Sequence, residues 1–202
     1  MPTATTPVSA SNTTVIVLAA GRGERFVQSG GATHKLQALL AGKPVQDHVL
    51  QTVQASGLRC HIVQPLKEAG LQGMGDSIAR GVRATADAQG WLILPADLPL
   101  VQPQTLLQVA AALQEHPVVV PMWHGQQGHP VGFARECFTA LSNLEGDKGA
   151  SRIVQSYRHI QRLQMLPVGD AGIATDIDTV DDLALAEAWL ASRNSAVAAN
   201  ER

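Results

Sequence analysis

Val15-Ile16-Val17-Leu18-Ala19-Ala20-Gly21-Arg22-Gly23-Glu24-Arg25 is the stretch that decides the fold class. Its first four residues are apolar without alternation, as in a strand buried on both faces. The chain then turns through small residues and glycines into cations. The same device recurs twice. Trp91-Leu92-Ile93-Leu94 runs into Pro95-Ala96-Asp97-Leu98-Pro99, and Val118-Val119-Val120-Pro121 runs into a Trp/His/Gly loop ending at Gly128-His129-Pro130. His61-Ile62-Val63 is a weaker fourth strand. Helical spacing fills the intervals: Val45, Val49 and Val53 within 45–55, Ile78 and Val82 within 77–86, and Leu106, Leu107 and Val109 behind Pro103. Asp181 and Asp182 open a last helix over 181–192, with Leu183, Ala186 and Leu190 on one face. Strand then helix, four times over, predicts an α/β domain with a mostly parallel sheet. Ligands of such sheets bind at the carboxyl ends of the strands, and the unusual residues collect there.

The chain has 202 residues, 45% hydrophobic and 16% charged, with 15 Lys and Arg against 17 Asp and Glu. That length suits one domain with an ordinary core. A net charge of −2 leaves no electrostatic footprint for nucleic acid, and 3% aromatics supply no stacking platform. Cys60 and Cys137 form neither a metal-ligand spacing nor a disulfide framework, which points to a reducing compartment. No apolar run reaches the roughly 18 residues of a membrane span. The start of the chain has neither the basic residues nor the long apolar stretch of a signal peptide, so a soluble, cytoplasmic protein is expected. Polar composition marks 1–13 and 194–202 as fraying tails around a domain at 14–193.

Each motif has a bland reading and a chemical one. Gly21 and Gly23 begin a dinucleotide fingerprint, but Phe26 occupies the third glycine position, and no Gly-Lys-Ser/Thr occurs. What remains is a tight turn followed by Arg22, Arg25 and Lys35, either solvated or aimed at phosphates. Asp97 is a turn residue or a Mg²⁺ ligand, since Mg²⁺ takes one or two protein carboxylates plus substrate phosphates. Asp176 and Asp178 alternate and share a face if extended. Either completes such a site, or the segment only precedes a helix capped by Thr179, with Asp181 and Asp182 favouring its dipole. Gly73-Met74-Gly75-Asp76-Ser77 is a Gly-rich helix start or the edge of a base or phosphate site. Gly146-Asp147-Lys148-Gly149-Ala150 is a turn by composition. The seven histidines show no paired ligand spacing and read as polar or core residues, apart from His129.

Taken in order, these motifs resemble the MobA-like NTP transferases of molybdenum-cofactor maturation. The resemblance rests on the run from Val15 to Arg25 with Lys35-Leu36, and on Gly73 to Gly81. It continues through Asp97-Leu98-Pro99, Gly128 to Phe133, Gly146 to Ala150 and Asp176 to Thr179. It is nearest to the molybdenum cofactor cytidylyltransferase branch. It implies a single-domain, Rossmann-like three-layer sandwich of the nucleotide-diphospho-sugar transferase type. The implied reaction moves a nucleotidyl group from a nucleoside triphosphate to a phosphate-bearing acceptor and releases pyrophosphate. By the same resemblance Ala19, Ala20 and Gly21 line the base, with Leu18, Arg22, Gly23, Gly73, Gly75 and Ser77 also in the nucleotide site. Arg25 and Lys35 bind the triphosphate, and Asp97 with Asp178 or Asp176 holds Mg²⁺. His129, Pro130, Asp147, Lys148 and Gly149 face the acceptor. Ala20, where guanylyl-transferring relatives carry Gly, implies CTP as donor. A molybdopterin-type cofactor is the implied acceptor, with a molybdoenzyme as the partner receiving it.

The attacking phosphate is already anionic, so the reaction needs no strong base. It needs charge neutralisation, which two cations and separated carboxylates around a divalent ion provide. The same fold also suits a sugar phosphate or another small phosphate as acceptor, and a non-catalytic chaperone that binds nucleotide or cofactor is the reading from outside enzymology. The chain departs from the resemblance in a long, floppy loop over 26–34 and a short connection over 64–72.

Overall fold

The computed structural model describes residues 12–21, 23–65 and 73–200. The strands are β1 (Thr13–Leu18), β2 (Leu39–Leu40), β3 (Lys43–Pro44), β4 (Arg59–Val63), β5 (Gly90–Pro95), β6 (Val118–Trp123), β7 (Gln126–Gln127), β8 (Val131–Ala134) and β9 (Leu163–Pro167). The helices are α1 (Glu24–Gln28), α2 (Val45–Ser56), α3 (Met74–Ala84), α4 (Pro103–Ala112), α5 (Phe138–Ser142), α6 (Ser151–His159) and α7 (Val180–Asn200).

One sheet takes the order β4-β1-β5-β8-β6-β7, with β9 also paired to β6. β1 pairs parallel with β4 and β5, and β6 pairs parallel with β9. β8 lies antiparallel between β5 and β6. The mostly parallel α/β sheet expected from the apolar runs is present, with β7 and β8 as its reversed strands. The reversal follows from chain length. β6, β7 and β8 are joined by a few residues, too few for the crossover that a parallel neighbour requires. Val131-Gly132-Phe133 read as part of a loop motif because a strand this short, with a central Gly, carries no periodicity.

Period-two alternation sorts the core into two layers. Val15 and Val17 of β1, with Leu92 and Leu94 of β5, pack under α2, α4 and Ala186 of α7. Ile16, Trp91 and Ile93 face the other way, against Ile78 and Val82 of α3, Leu141 of α5 and Ile153 of α6. Helices therefore cover both faces of the strands that carry the site. The long loop after Arg25 is not floppy. α1 buries Phe26, Ser29 Oγ donates to the Phe26 carbonyl at 2.9 Å, and the Val180 amide donates to Ser29 Oγ at 3.0 Å. The final helix reaches Asn200 rather than ending at 192, because an Ala-rich polar segment has high helix propensity. Thr13 likewise belongs to β1 and is buried. The short connection over 64–72 falls largely on 66–72, outside the described residues.

Candidate nucleotide and metal site

β1 and β5 end side by side. Leu18 is in register with Pro95, and the Ala96 amide donates to the Leu18 carbonyl at 3.0 Å, so the loops after both strands open on the same side. A third segment joins them where the Ile177 amide donates to the Asp97 carbonyl at 2.9 Å. Ile177 is fully buried. This turns Asp176 and Asp178 outward together, into a cleft of about 810 Å³.

Lys35 closes the arrangement. Its ammonium donates to Asp97 Oδ2 at 2.6 Å and to Asp178 Oδ1 at 2.7 Å, while Arg25 Nη1 donates to Asp178 Oδ2 at 2.9 Å. Burial pulls the Lys35 ammonium down, but the two carboxylates outweigh it and its pKa lies above the usual lysine value. Asp178 is held below the carboxylate range, chiefly by its hydrogen bond from Lys35. Arg25 adds to this from a largely exposed position, 79% accessible.

The lysine is aimed by its neighbour. His34 caps the 3-10 turn of Lys35–Gln37, its Nδ1 accepting from the Leu36 amide at 3.3 Å. Nδ1 is therefore the unprotonated nitrogen, and Nε2 donates to the Gly21 carbonyl at 2.8 Å. The imidazole lies against Gly23, whose φ of 65° suits glycine and where a Cβ would meet the ring at 3.2 Å. His34 thus ties the glycine loop to the lysine. Sequence reading passed over it, and its one signal was adjacency to Lys35.

Backbone carpentry explains other motif residues. A Cβ on Gly73 would lie 2.0 Å from the Gly146 carbonyl carbon, so the start of α3 and the 146–150 turn are in direct backbone contact. Asp76 fastens that contact by accepting from the Gly73 amide at 2.9 Å and the Gly146 amide at 3.1 Å. Asp182 does more than favour a dipole. It forms a reciprocal cap with Thr179, and the same Oδ2 accepts from the Asp178 amide at 3.1 Å, fixing that residue in place.

The site also bears on a divalent cation. Asp97 Oδ1 is buried and has no hydrogen-bond partner. A lone hard oxygen at a strand end is a donor that Mg²⁺ or Mn²⁺ accepts. The partner expected for Asp97 is Asp178 or Asp176, and among the described residues no three His, Cys, Asp or Glu side chains gather around one point. Asp178 reaches Lys35, whereas Asp176 stands toward His129. The residues fit an ion held by one or two carboxylates with phosphate and water completing its shell.

A family model for the MobA-like NTP transferase domain matches residues 15–162. The chain belongs to this family. Purine catabolism protein PucB of Bacillus subtilis is 32% identical over 113 residues, covering 55% of this chain and 54% of that protein. 2-C-methyl-D-erythritol 4-phosphate cytidylyltransferase of Frankia casuarinae is 34% identical over 135 residues, 57% of this chain and 50% of that one. The chain thus spans about half the length of these curated relatives. Among solved structures, a nucleotidyl transferase from Methanothermobacter thermautotroptrophicus superimposes with TM-score 0.72 at 20% identity, covering 89% of this chain and 98% of that one. Rv0371c of Mycobacterium tuberculosis in complex with manganese gives TM-score 0.62 at 24% identity, covering 84% and 95%. These structural neighbours carry the same Rossmann-like α/β fold.

Within this NTP transferase domain, Leu18, Ala20, Gly21, Gly23, Gly73 and Ser77 line the cleft with Lys35, Asp97, His129, Asp147, Asp176 and Asp178. Ala19 does not. Its methyl is 4% exposed in the core, because alternation along β1 turns it away from the opening. Gly75 is buried against the Glu145 and Gly146 backbone, Pro130 is buried behind His129, and Gly149 abuts Met74. Among the described residues Arg25 meets the site through Asp178 and Lys148 lines a neighbouring cavity; Arg22 lies outside them. Gln126, Gln127, Ile173 and Ala174 also line the cleft, and no motif marked them. Burial drives the His129 imidazole toward its neutral form, partly offset by Asp97 and Asp176. Cys60 and Cys137 are both unpaired. Among the described residues no helix is long and apolar enough to cross a membrane.

Proposed function

We propose that the chain is a divalent-metal-dependent nucleotidyltransferase that moves CMP from CTP to a phosphate-bearing acceptor of molybdopterin type and releases pyrophosphate. The observation that carries this reading is the Lys35 ammonium held between Asp97 and Asp178 at the joined ends of β1 and β5, beside the glycine loop. An acceptor phosphate oxygen attacks the α-phosphorus, a new P–O bond forms, the bond to the β-phosphate bridge breaks, and pyrophosphate leaves with that electron pair. The chain's task is to bring one polyanion to another. Lys35 transfers its donors to the α-phosphate oxygens, and Arg25 adds charge from the rim. Gly21 and Gly23 admit phosphate or ribose close to the backbone, with Ala20 and Ser77 beside the base. Asp97, through its buried Oδ1, is the residue that would hold Mg²⁺ or Mn²⁺, with Asp178 as the second carboxylate. When bound, that ion neutralises phosphate charge and polarises the reacting phosphorus.

CTP is favoured by Ala20 at the position where guanylyl-transferring relatives carry Gly, and a cytidylyltransferase stands among the curated relatives. The acceptor named for that relative is a polyol phosphate, so a sugar-type phosphate is the second reading. The test is pyrophosphate release with Mg²⁺ or Mn²⁺, comparing CTP, GTP, ATP and UTP, with molybdopterin cofactor, with 2-C-methyl-D-erythritol 4-phosphate, and with no acceptor. Release fastest with CTP and dependent on molybdopterin is the expected result. Release that depends on the polyol phosphate would move the acceptor. Tight CTP binding with no release under any condition would favour a binding chaperone instead.

A further inference from the structure

Gly21 and Lys35 lie on either side of α1 in the chain, yet both line the cleft. α1 is fastened elsewhere, to the start of α7 through Ser29. Loop and lysine meet at His34. Its Nε2 donates to the Gly21 carbonyl at 2.8 Å, and its Nδ1 accepts from the Leu36 amide at 3.3 Å. Its ring lies against Gly23, where a Cβ would stand 3.2 Å from it. Gly21, Gly23, Lys35 and Leu36 line the cleft, whereas His34 is not among the described residues that do.

The two ring nitrogens act on different segments. A loop built on glycines has the most backbone freedom to lose, and the bond from Nε2 removes that freedom at Gly21. The turn of Lys35–Gln37 is held at its far end by buried Leu36 and by the Val45 amide, which donates to the Ala38 carbonyl at 3.0 Å. Its near end is held by Nδ1, which satisfies one of the free amides of that turn. Lys35 follows directly, so the cap sets where the lysine stem leaves the backbone. Building on the nucleotidyltransferase reading, we propose that His34 is a positioning residue that keeps the nucleotide loop and the lysine in one fixed relation, through Nε2 for the loop and Nδ1 for the lysine. The Lys35 ammonium exchanges Asp97 and Asp178 for phosphate oxygens, so its net gain on binding is small and its placement is read in rate. The placement of the loop is read in nucleotide affinity.

The test compares His34→Ala, His34→Asn and His34→Gln in the full chain. Asn sets an amide oxygen where Nδ1 stands, which keeps the cap, but it is too short to reach Gly21. Gln sets an amide nitrogen where Nε2 stands, which keeps the tie, but it is a poor cap. The readouts are CTP affinity by calorimetry, pyrophosphate release at saturating CTP with molybdopterin cofactor, and the drop in denaturant midpoint that Asp178→Asn adds to each background. That drop reports, without turnover, whether Lys35 still meets its carboxylate. His34→Ala is expected to weaken CTP binding about fivefold, to slow release about tenfold and to shrink the Asp178→Asn drop by about half. His34→Asn should match the wild type within about twofold in release and in that drop while keeping the weak CTP binding. His34→Gln should show the reverse. Asn and Gln variants that behave alike, or any other division of the readouts between them, would overturn the assignment, as would a His34→Ala variant with wild-type affinity and rate. If His34→Ala does not fold, the comparison of Asn with Gln decides alone. A wild type that neither binds CTP nor releases pyrophosphate counts instead against the nucleotidyltransferase reading, and the Asp178→Asn drop in the three backgrounds still decides whether His34 aims the lysine.

Discussion

Lys35 is only 8% exposed and its charge is balanced by Asp97 and Asp178. On the proposed nucleotidyltransferase reading, a cation so placed neutralises phosphate charge that would otherwise repel its partner. Lys35→Ala is expected to slow pyrophosphate release by about 10²-fold, the loss usual for one electrostatic donor to a developing charge. Asp97→Asn should remove turnover that added Mg²⁺ or Mn²⁺ does not restore, because the neutral amide is a poor ligand for either ion. Steady-state release at saturating metal checks both, and near-wild-type rates in either variant would cancel the role given to that side chain. Asp178 sets a pH limit. Its folded pKa is depressed, chiefly by the Lys35 hydrogen bond. Its stabilisation is therefore full above the unfolded value of about 3.9 and fades as pH falls through the lower folded value. Denaturant midpoints of wild type and Asp178→Asn should accordingly differ at neutral pH and converge in acid. A gap that persists unchanged at the lowest pH would mean that the carboxylate charge is not what stabilises.

The start of α3 and the 146–150 turn form one unit. The Gly75 amide donates to the Gly146 carbonyl at 2.7 Å, and Asp76 ties the two together. Gly73 has an extended backbone, φ −74°, ψ 172°, that any residue adopts. The requirement for glycine there comes from space alone. Gly73→Ala should cost about 1–3 kcal/mol, the range for overpacking, and weaken CTP binding by displacing Ser77 and Asp147 at the cleft edge. Thermal melts and CTP titrations read the two effects separately. An unchanged melt would show that the turn yields without cost.

Asp170 holds together parts of the molecule distant in sequence. Buried, it accepts from the Gln102 amide at 2.9 Å, Thr105 Oγ1 at 2.6 Å and the Gly172 amide at 2.9 Å. This fixes the 170–174 segment to the start of α4. The Ile173 carbonyl, on that segment, accepts from the His129 amide at 2.8 Å. One buried carboxylate thus links α4, the last loop before α7 and the wall shared by both cavities. Asp170→Ala strands several buried donors, each costing about 1–3 kcal/mol. A loss near 3 kcal/mol corresponds to a melting point lower by about 6–12 °C in a domain of this size. A melt within a degree or two of wild type would show that water replaces the carboxylate.

The apolar runs of β1, β5 and β6 and the helical spacing of α2, α3 and α4 were legible in sequence, because burial on both faces of a parallel sheet forces unbroken Val, Ile and Leu. Asp97 was conspicuous for the same reason, as a polar residue just after an apolar strand, whereas Lys35, in a 3-10 turn, and Asp178, just before α7, stood out only as a cation beyond the glycine loop and as one of two alternating carboxylates. Periodicity is a local property, so it reached no further. It left the reversed β8 hidden in a loop motif and the ordering of the loop after Arg25 unseen. It offered no choice between Asp176 and Asp178, which share a face by alternation. The Ile177–Asp97 backbone hydrogen bond and the Asp182 cap fix which of them meets Lys35; the cap is local, but the hydrogen bond depends on segments about 80 residues apart coming together. Gly73 and Gly75 read either as a Gly-rich helix start or as the edge of a ligand site, and the close approach of the 145–146 backbone, which requires glycine at both, was not visible in the sequence. The chain's own composition determined the layers and the side on which the site opens. Contacts between distant segments, through hydrogen bonds and close packing that no local pattern encodes, decided which side chains meet there.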